Sequence, residues 1–166
     1  MSLILGIDPG SEFSAWCQLA NGVPQGSGKV GNSDLLHMLR RRAIKADLLA
    51  VEGIASYGMA VGREVFDTCL WIGRYLEAWE RSGGVTKLVY RREVKLFLCE
   101  SMKANDANIR AALIDIFGPG KEKAIGLKKT PGPLHGLKGD EWSALAVGFT
   151  ARGVKPSTAT LIAEAA

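Results

Sequence analysis

Leu3-Ile4-Leu5-Gly6-Ile7-Asp8-Pro9-Gly10 opens the chain with a short apolar run that stops at a carboxylate. A run this short and this apolar reads as a buried strand over 3–8. Asp-Pro-Gly then turns the backbone out of it. Asp47-Leu48-Leu49-Ala50-Val51-Glu52-Gly53 repeats the arrangement, with Glu52 ending a strand over 47–52 that is too hydrophobic for an exposed edge. A third acid stands in Gly139-Asp140-Glu141-Trp142-Ser143-Ala144-Leu145-Ala146-Val147, where it begins an apolar helix.

A carboxylate at the edge of a core is costly to desolvate unless something compensates it. Three that converge repel one another unless cations lie between them. Each acid alone has a plainer reading: Asp8 in a strand-end turn, Asp140 as a helix N-cap or first-turn acid. The set of three is more specific. Oxygen ligands without a matching Cys or His set point to Mg²⁺ or Mn²⁺ rather than Zn²⁺. Two such ions, about 4 Å apart, would activate a water and stabilise the leaving oxygen of a phosphodiester.

Between these acids the pattern fills in a fold. Residues 12–20 and 25–31 alternate around a turn at Ala20-Asn21-Gly22, giving an antiparallel meander. Asn32-Ser33-Asp34 reads as a capping cluster before a short helix carrying Leu35, Leu36, Met38 and Leu39. Residues 60–81 read as the longest helix, with Val61, Val65, Cys69, Ile72, Leu76 and Trp79 at helical spacing. Phe66, Leu70, Trp71 and Tyr75 widen its apolar surface, so it is expected to pack on its own sheet and on a second subunit. Ser82-Gly83-Gly84 stops it, 85–90 is the last strand, and 91–100, 105–117 and 140–152 are helical. Parallel right-handed crossovers then give an α/β fold with a mixed five-stranded sheet and helices on both faces. Residues 1–152 are expected to form one domain, and 153–166 a loosely held C-terminal tail.

The 166 residues are 47% hydrophobic and 23% charged, ordinary for a globular protein. No stretch approaches the length of a membrane span. The N-terminus lacks the basic flank of a signal peptide. Cys17, Cys69 and Cys99 show no zinc spacing and read as reduced core residues of a cytoplasmic protein. The net charge of +4 is mild, but its distribution is not. Gly118 to Lys138 holds Lys121, Lys123, Lys128, Lys129 and Lys138 against Glu122 alone, a balance equal to the whole net excess. Rich in glycine and proline, this segment reads as a long flap. Arg40, Arg41, Arg42 and Lys45 form a second cluster, and Arg91, Arg92 and Lys95 a third. A cluster is commonly a solvated face; all three on one face would point to a polyanion.

Gly6-Ile7-Asp8-Pro9-Gly10, Ala50-Val51-Glu52, the long helix, Val94-Lys95 and Gly139-Asp140 leading into Ala144-Leu145-Ala146 together resemble the RuvC group of Holliday-junction resolvases. The resemblance spans residues 3–152 in order and spacing. It implies an RNase H-like fold, a homodimer through helix 60–81, and Mg²⁺- or Mn²⁺-dependent paired nicks across a four-way DNA junction, in recombination and repair. It places Asp8 and Glu52 on the first two catalytic carboxylates, Asp140 on a position held by Asp or His, and Lys95 near the scissile phosphate. It also implies that Tyr57, just beyond Glu52, stacks at the opened junction; the plainer reading is a partly buried loop aromatic.

The chain departs from that family at two places. The family's last acid falls on Ser143, so Asp140 acts alone or Glu141 or His135 assists. A second basic position falls on Asp106, with Lys103 as a nearby substitute. The lysine-rich insert is similar to shorter phage or prophage members. It argues against partnership with the branch-migration motor, and for a bacterial or phage-infected cytoplasm. Competing readings are an RNase H-like nuclease on RNA/DNA hybrids and a junction-binding protein with weak or no cleavage. An actin-like ATPase also begins with such a strand, but its two-domain chains are far longer.

Overall fold

The computed structural model describes residues 2–154. Five strands form one sheet: β1 (Leu3–Asp8), β2 (Phe13–Ala20), β3 (Val23–Gly31), β4 (Leu48–Gly53) and β5 (Val85–Tyr90), in the order β3-β2-β1-β4-β5. β1, β2 and β3 are antiparallel neighbours, while β1, β4 and β5 run parallel. The most apolar strands, β1 and β4, are therefore central, where both faces are covered. This is the mixed sheet that the patterning predicts.

The period-2 alternation of each strand sorts its side chains to two cores. Leu5, Ile7, Leu49 and Val51 face α1 (Asn32–Arg40) and α2 (Arg63–Arg81). Ile4, Ala15, Cys17, Ala50 and Val89 face α3 (Arg91–Cys99), α4 (Asp106–Phe117) and α6 (Glu141–Arg152). By the same alternation, Asp8 and Glu52 belong to the second face, beneath α6.

Helix α6 lies on β1 at very short range. A Cβ at Gly6 would stand 2.2 Å from the Ala144 carbonyl oxygen and 2.8 Å from the Gly148 nitrogen. Gly148 meets the backbone of Gly6 from the other side. Ala144, Leu145, Ala146 and Phe149 are fully buried around this seam.

Four expectations are corrected. The long helix begins at Arg63, so residues 60–62 belong to a loop, with Gly62 as its extended N-cap. Residues 32–34 do not cap α1: Gly31 is the N-cap, no side chain bonds there, and Asn32 is buried. Among the cysteines only Cys17 is in the core; Cys69 is exposed on α2 and Cys99 half-buried. The insert is a folded module rather than an open loop. It contains α5 (Lys121–Ala124) and a small hairpin of β6 (Gly126–Leu127) and β7 (Thr130–Pro131). Ala124 and Leu134 anchor it in the core, and the Leu134 amide donates to the Ala124 carbonyl. The predicted tail lies outside the described residues beyond Val154. Among the described residues, no helix is long and apolar enough to cross a membrane.

The seam yields a comparative prediction. Gly6→Ala must push against backbone and should cost about 3 kcal/mol in urea unfolding. Gly148→Ala first meets the Leu19 Cδ1, a movable side-chain end, and gains helix propensity. It should cost less than half as much. Equal losses in the two variants would show that the seam is not what limits the packing.

Candidate active site

The site is assembled from one row across the sheet. Lys29 on β3 pairs with Ala15 on β2, and Ala15 pairs with Asp8 on β1. The β1–β4 register ends with Ile7 opposite Val51, which brings Glu52 beside Asp8. Because β1 and β4 are parallel, both acids fall at C-terminal strand ends. Asp140, at the start of α6, hangs over them.

The Asp8 and Glu52 carboxyls lie within interacting distance of each other, and each shifts the other's proton affinity. Burial, then the charge and hydrogen bond of Glu52, then Asp140, push the Asp8 carboxyl up to about 8, against the pull of Arg91. Burial also raises Glu52, against the lowering effects of Arg91 and Asp8. The Arg91 Nη1 stands 3.8 Å from the Glu52 Oε1, and its other nitrogen pairs with Asp106. Asp140 makes no capping bond; its carboxylate accepts from the Lys29 Nζ at 2.5 Å. Asp140 therefore raises the Lys29 ammonium, and Asp8 adds to the effect.

The turn after Asp8 is held from the opposite face of the sheet. The Ser14 hydroxyl donates to the Asn32 Oδ1 at 2.7 Å, and Asn32 donates to the Gly10 carbonyl at 2.8 Å. With its one proton used, Ser14 accepts from the Gly10 amide and from the Tyr75 hydroxyl. Both Ser14 and Asn32 are buried, so this network is satisfied rather than solvated.

The remaining candidates divide. Arg91, predicted as a DNA-facing cation, lies one-third exposed beside Glu52 and pairs with Asp106. Glu141 is held by the Ser27 hydroxyl at 2.7 Å and by the Lys138 amide, not by Asp8. His135 is exposed in the insert, its Nδ1 on the Ile125 carbonyl. Neither joins the acids. Lys95 is half-buried one turn after Arg91. Lys103 lines a separate shallow groove with Cys99, Ser101 and Asn108. Tyr57 is 64% exposed with φ +46°, and it lines grooves with Glu52, Arg91 and Arg92 beside the site. The buried-loop reading of Tyr57 therefore fails. Lys121, Lys123, Lys128, Lys129 and Lys138 are all exposed, with Lys128 and Lys129 at the hairpin tip. Arg40 to Lys45 precede β4, at the end of that strand away from Glu52, so the three basic clusters do not share one face.

Sequence patterning missed Lys29, Asn32, Tyr75 as a polar group, and Arg110. Arg110 lies over the Trp142 ring at 4.4 Å. With Arg91, Asp106, Asp140 and Ser143 it lines a cleft of about 400 Å³ at the site. Only the Ser27–Lys29 alternation on β3 could have suggested the first of these.

Among the described residues, no three His, Cys, Asp or Glu side chains are arranged to hold one ion. The donor chemistry nevertheless fits a hard cation. Two half-buried carboxylates oppose each other, and a third is turned aside onto an ammonium.

No family model and no curated protein matches the sequence. The fold does match solved structures. Thermus thermophilus RuvC superposes with TM-score 0.63 at 20% identity, over 92% of this chain and 97% of that one. A structure of T. thermophilus RuvC in complex with Holliday junction substrate gives TM-score 0.65 at 17% identity, over 98% and 97%. The chain has the RuvC-like, RNase H-like fold.

The acid pair predicts a pH dependence. Folded Asp8 keeps its proton to about pH 8, whereas the unfolded chain gives it up in the ordinary carboxylate range. This contribution is complete in acid and is lost as pH rises, by up to about 1.4 kcal/mol per unit. In EDTA, thermal stability should fall between about pH 5 and 8, and Asp8→Asn should flatten the fall. The same slope in the variant would exclude Asp8 as its source.

Proposed function

We propose that the chain is a metal-dependent, structure-specific DNA endonuclease that resolves four-way or other branched DNA by paired nicks. One observation carries the reading: Asp8 and Glu52 side by side at adjacent strand ends beneath Asp140, a cluster whose charges oppose one another until a cation enters. Support comes from the fold shared with a protein whose structure holds Holliday junction substrate.

Asp8, Glu52 and Asp140 would hold Mg²⁺ or Mn²⁺, as two ions in the full site. When bound, these ions supply Lewis acidity and an activated water for phosphodiester hydrolysis. The chain's own residues do the rest. Arg91 restrains Glu52, the Ser14–Asn32–Tyr75 network fixes the turn after Asp8, and Trp142 and Arg110 wall the cleft. Tyr57 stands where an unstacked base could be received, and such stacking contributes about 1–3 kcal/mol. Arg92, Lys95 and the insert lysines supply phosphate contacts, which position DNA without reading its sequence.

A junction is two-fold symmetric, so the reading pairs two copies. Helix α2 offers the surface: Thr68, Ile72, Tyr75 and Ala78 face the sheet, while Phe66 and Leu70 stand 61% and 68% exposed. Residues 1–152 act as one nuclease domain, of a phage- or prophage-like type that works without a branch-migration motor. A second reading, junction binding without cleavage, is favoured by Ser143 and by the commitment of Asp140 to Lys29.

A synthetic four-way junction with Mg²⁺, beside duplex and RNA/DNA hybrid controls, separates the readings. Wild-type protein should nick the junction symmetrically and sediment near twice 17.8 kDa. Asp8→Asn should lose cleavage by at least a hundredfold yet keep binding. Binding without nicking by the wild type would select the second reading, and hybrid cleavage by a monomer would replace both.

The insert adds a salt dependence. Each lysine that neutralises one phosphate contributes about 0.9 to the slope of log affinity against log salt. Lys128→Ala with Lys129→Ala should flatten that slope by nearly two units, alike for all branched substrates. Because the module is already folded, its secondary structure should not rise on binding, contrary to the ordering expected of an open flap. An unchanged slope would leave the hairpin tip away from DNA.

A further inference from the structure

We propose that Lys29 is the built-in counter-ion of Asp140, and that a divalent cation must displace its ammonium to recruit that acid. The inference rests on the metal-site reading above and adds how the site is held closed.

Three observations carry it. First, the Asp140 carboxylate is committed: its Oδ2 lies 2.5 Å from the Lys29 Nζ. It makes no capping bond to α6, and among the described residues no other side chain bonds it. Second, the sheet aims the ammonium at the acids. Lys29, Ala15 and Asp8 are consecutive partners across β3, β2 and β1, and only a methyl group stands between the two charged side chains. The Lys29 ammonium feels both Asp140 and Asp8. Third, the neighbouring acid is engaged elsewhere. Glu141 is tied to the Ser27 hydroxyl two residues along the same strand.

The pair is also built to open. Its side chains are 49% and 52% exposed, and β3 is an edge strand, so the ammonium can swing to solvent without disturbing the core. An exposed pair is weak, worth about 0.2–1 kcal/mol. It is strong enough to set a threshold and weak enough for a divalent ion, attracted also by Asp8 and Glu52, to break. Lys29 is thus a positioning residue: it decides when the third carboxylate is available.

Mn²⁺ binding by calorimetry on the full chain without DNA tests this. Lys29→Met should bind Mn²⁺ about fivefold more tightly than wild type, the upper end for removing an exposed ionic competitor. Lys29→Gln, which keeps a polar side chain, should do the same, and Lys29→Arg should restore the wild-type affinity. In an Asp140→Asn background, Lys29→Met should no longer tighten binding. Unchanged or weaker Mn²⁺ affinity in both neutral variants would overturn the proposal and leave the metal site standing. So would an equal gain without Asp140. Failure of wild type and variants alike to bind Mn²⁺ would overturn the metal site, and the proposal with it.

Discussion

The backbone of α6 rests on the backbone of β1 because neither Gly6 nor Gly148 has a side chain. That contact sets the height of the helix above the sheet, and the height sets the chemistry. Asp140 precedes the buried Ala144 by one helical turn, so it projects over the end of β1 wherever the helix is seated. A larger residue at position 6 would lift α6 off the sheet. Asp8 and Glu52 would remain neighbours through strand pairing, but Asp140 would leave their company. The acid cluster is thus a joint product of sheet register and one close helix–sheet approach.

Such a cluster opposes folding, and the surroundings show how it is tolerated. Burial raises both Asp8 and Glu52, and repulsion from Glu52 raises Asp8 further, which favours neutral forms over two adjacent charges. Arg91 lies to one side, 3.8 Å from Glu52, and Lys29 to the other, paired with Asp140 at the rim. The turn after Asp8 is braced by a fully satisfied polar network, reaching across the sheet to Tyr75 on α2. Backbone and side-chain restraint therefore come from the α1/α2 face, while electrostatic restraint comes from the α3/α6 face. Strain of this kind is characteristic of sites that need a ligand to complete them.

The frame of this fold was legible because its signals are local. Apolar runs closed by Asp8 and Glu52 mark central parallel strands, and the turn at Asn21-Gly22 marks the meander. What escaped depends on pairs far apart in sequence. Lys29 meets Asp140 across 111 positions, and no spacing rule connects them. Asn32 looks like a helix cap from its neighbours alone, yet the strand before it delivers its side chain to Gly10 and Ser14. The insert looked open because its glycines and prolines outnumber its apolar residues. Two of those glycines are there for close packing: a Cβ at Gly126 or Gly132 would lie 2.2 Å from a carbonyl oxygen. Arg91 was read by its charge alone; that it also balances Glu52 and Asp106 depends on long-range packing.

The acid row has unlike flanks, and the difference follows from where each flank is rooted. On the α6 side, the insert is tied down by Ala124 and Leu134 and carries Lys121 and Lys123 on α5 and Lys128 and Lys129 on a short hairpin, so their backbone positions are set by the fold. Beyond Glu52, residues 54–62 have little to pack on, and Ile54, Tyr57 and Met59 stay exposed. Tyr57 adopts a left-handed conformation beside Gly58, which turns its ring outward rather than into the core. A basic module with a folded backbone suits a phosphate backbone of regular geometry. An exposed aromatic on an unanchored loop suits a base that has left its stack. Under the proposed reading, one flank would grip the helical arms and the other would meet the distorted centre, so selectivity for branched DNA would arise from the asymmetry itself rather than from base contacts.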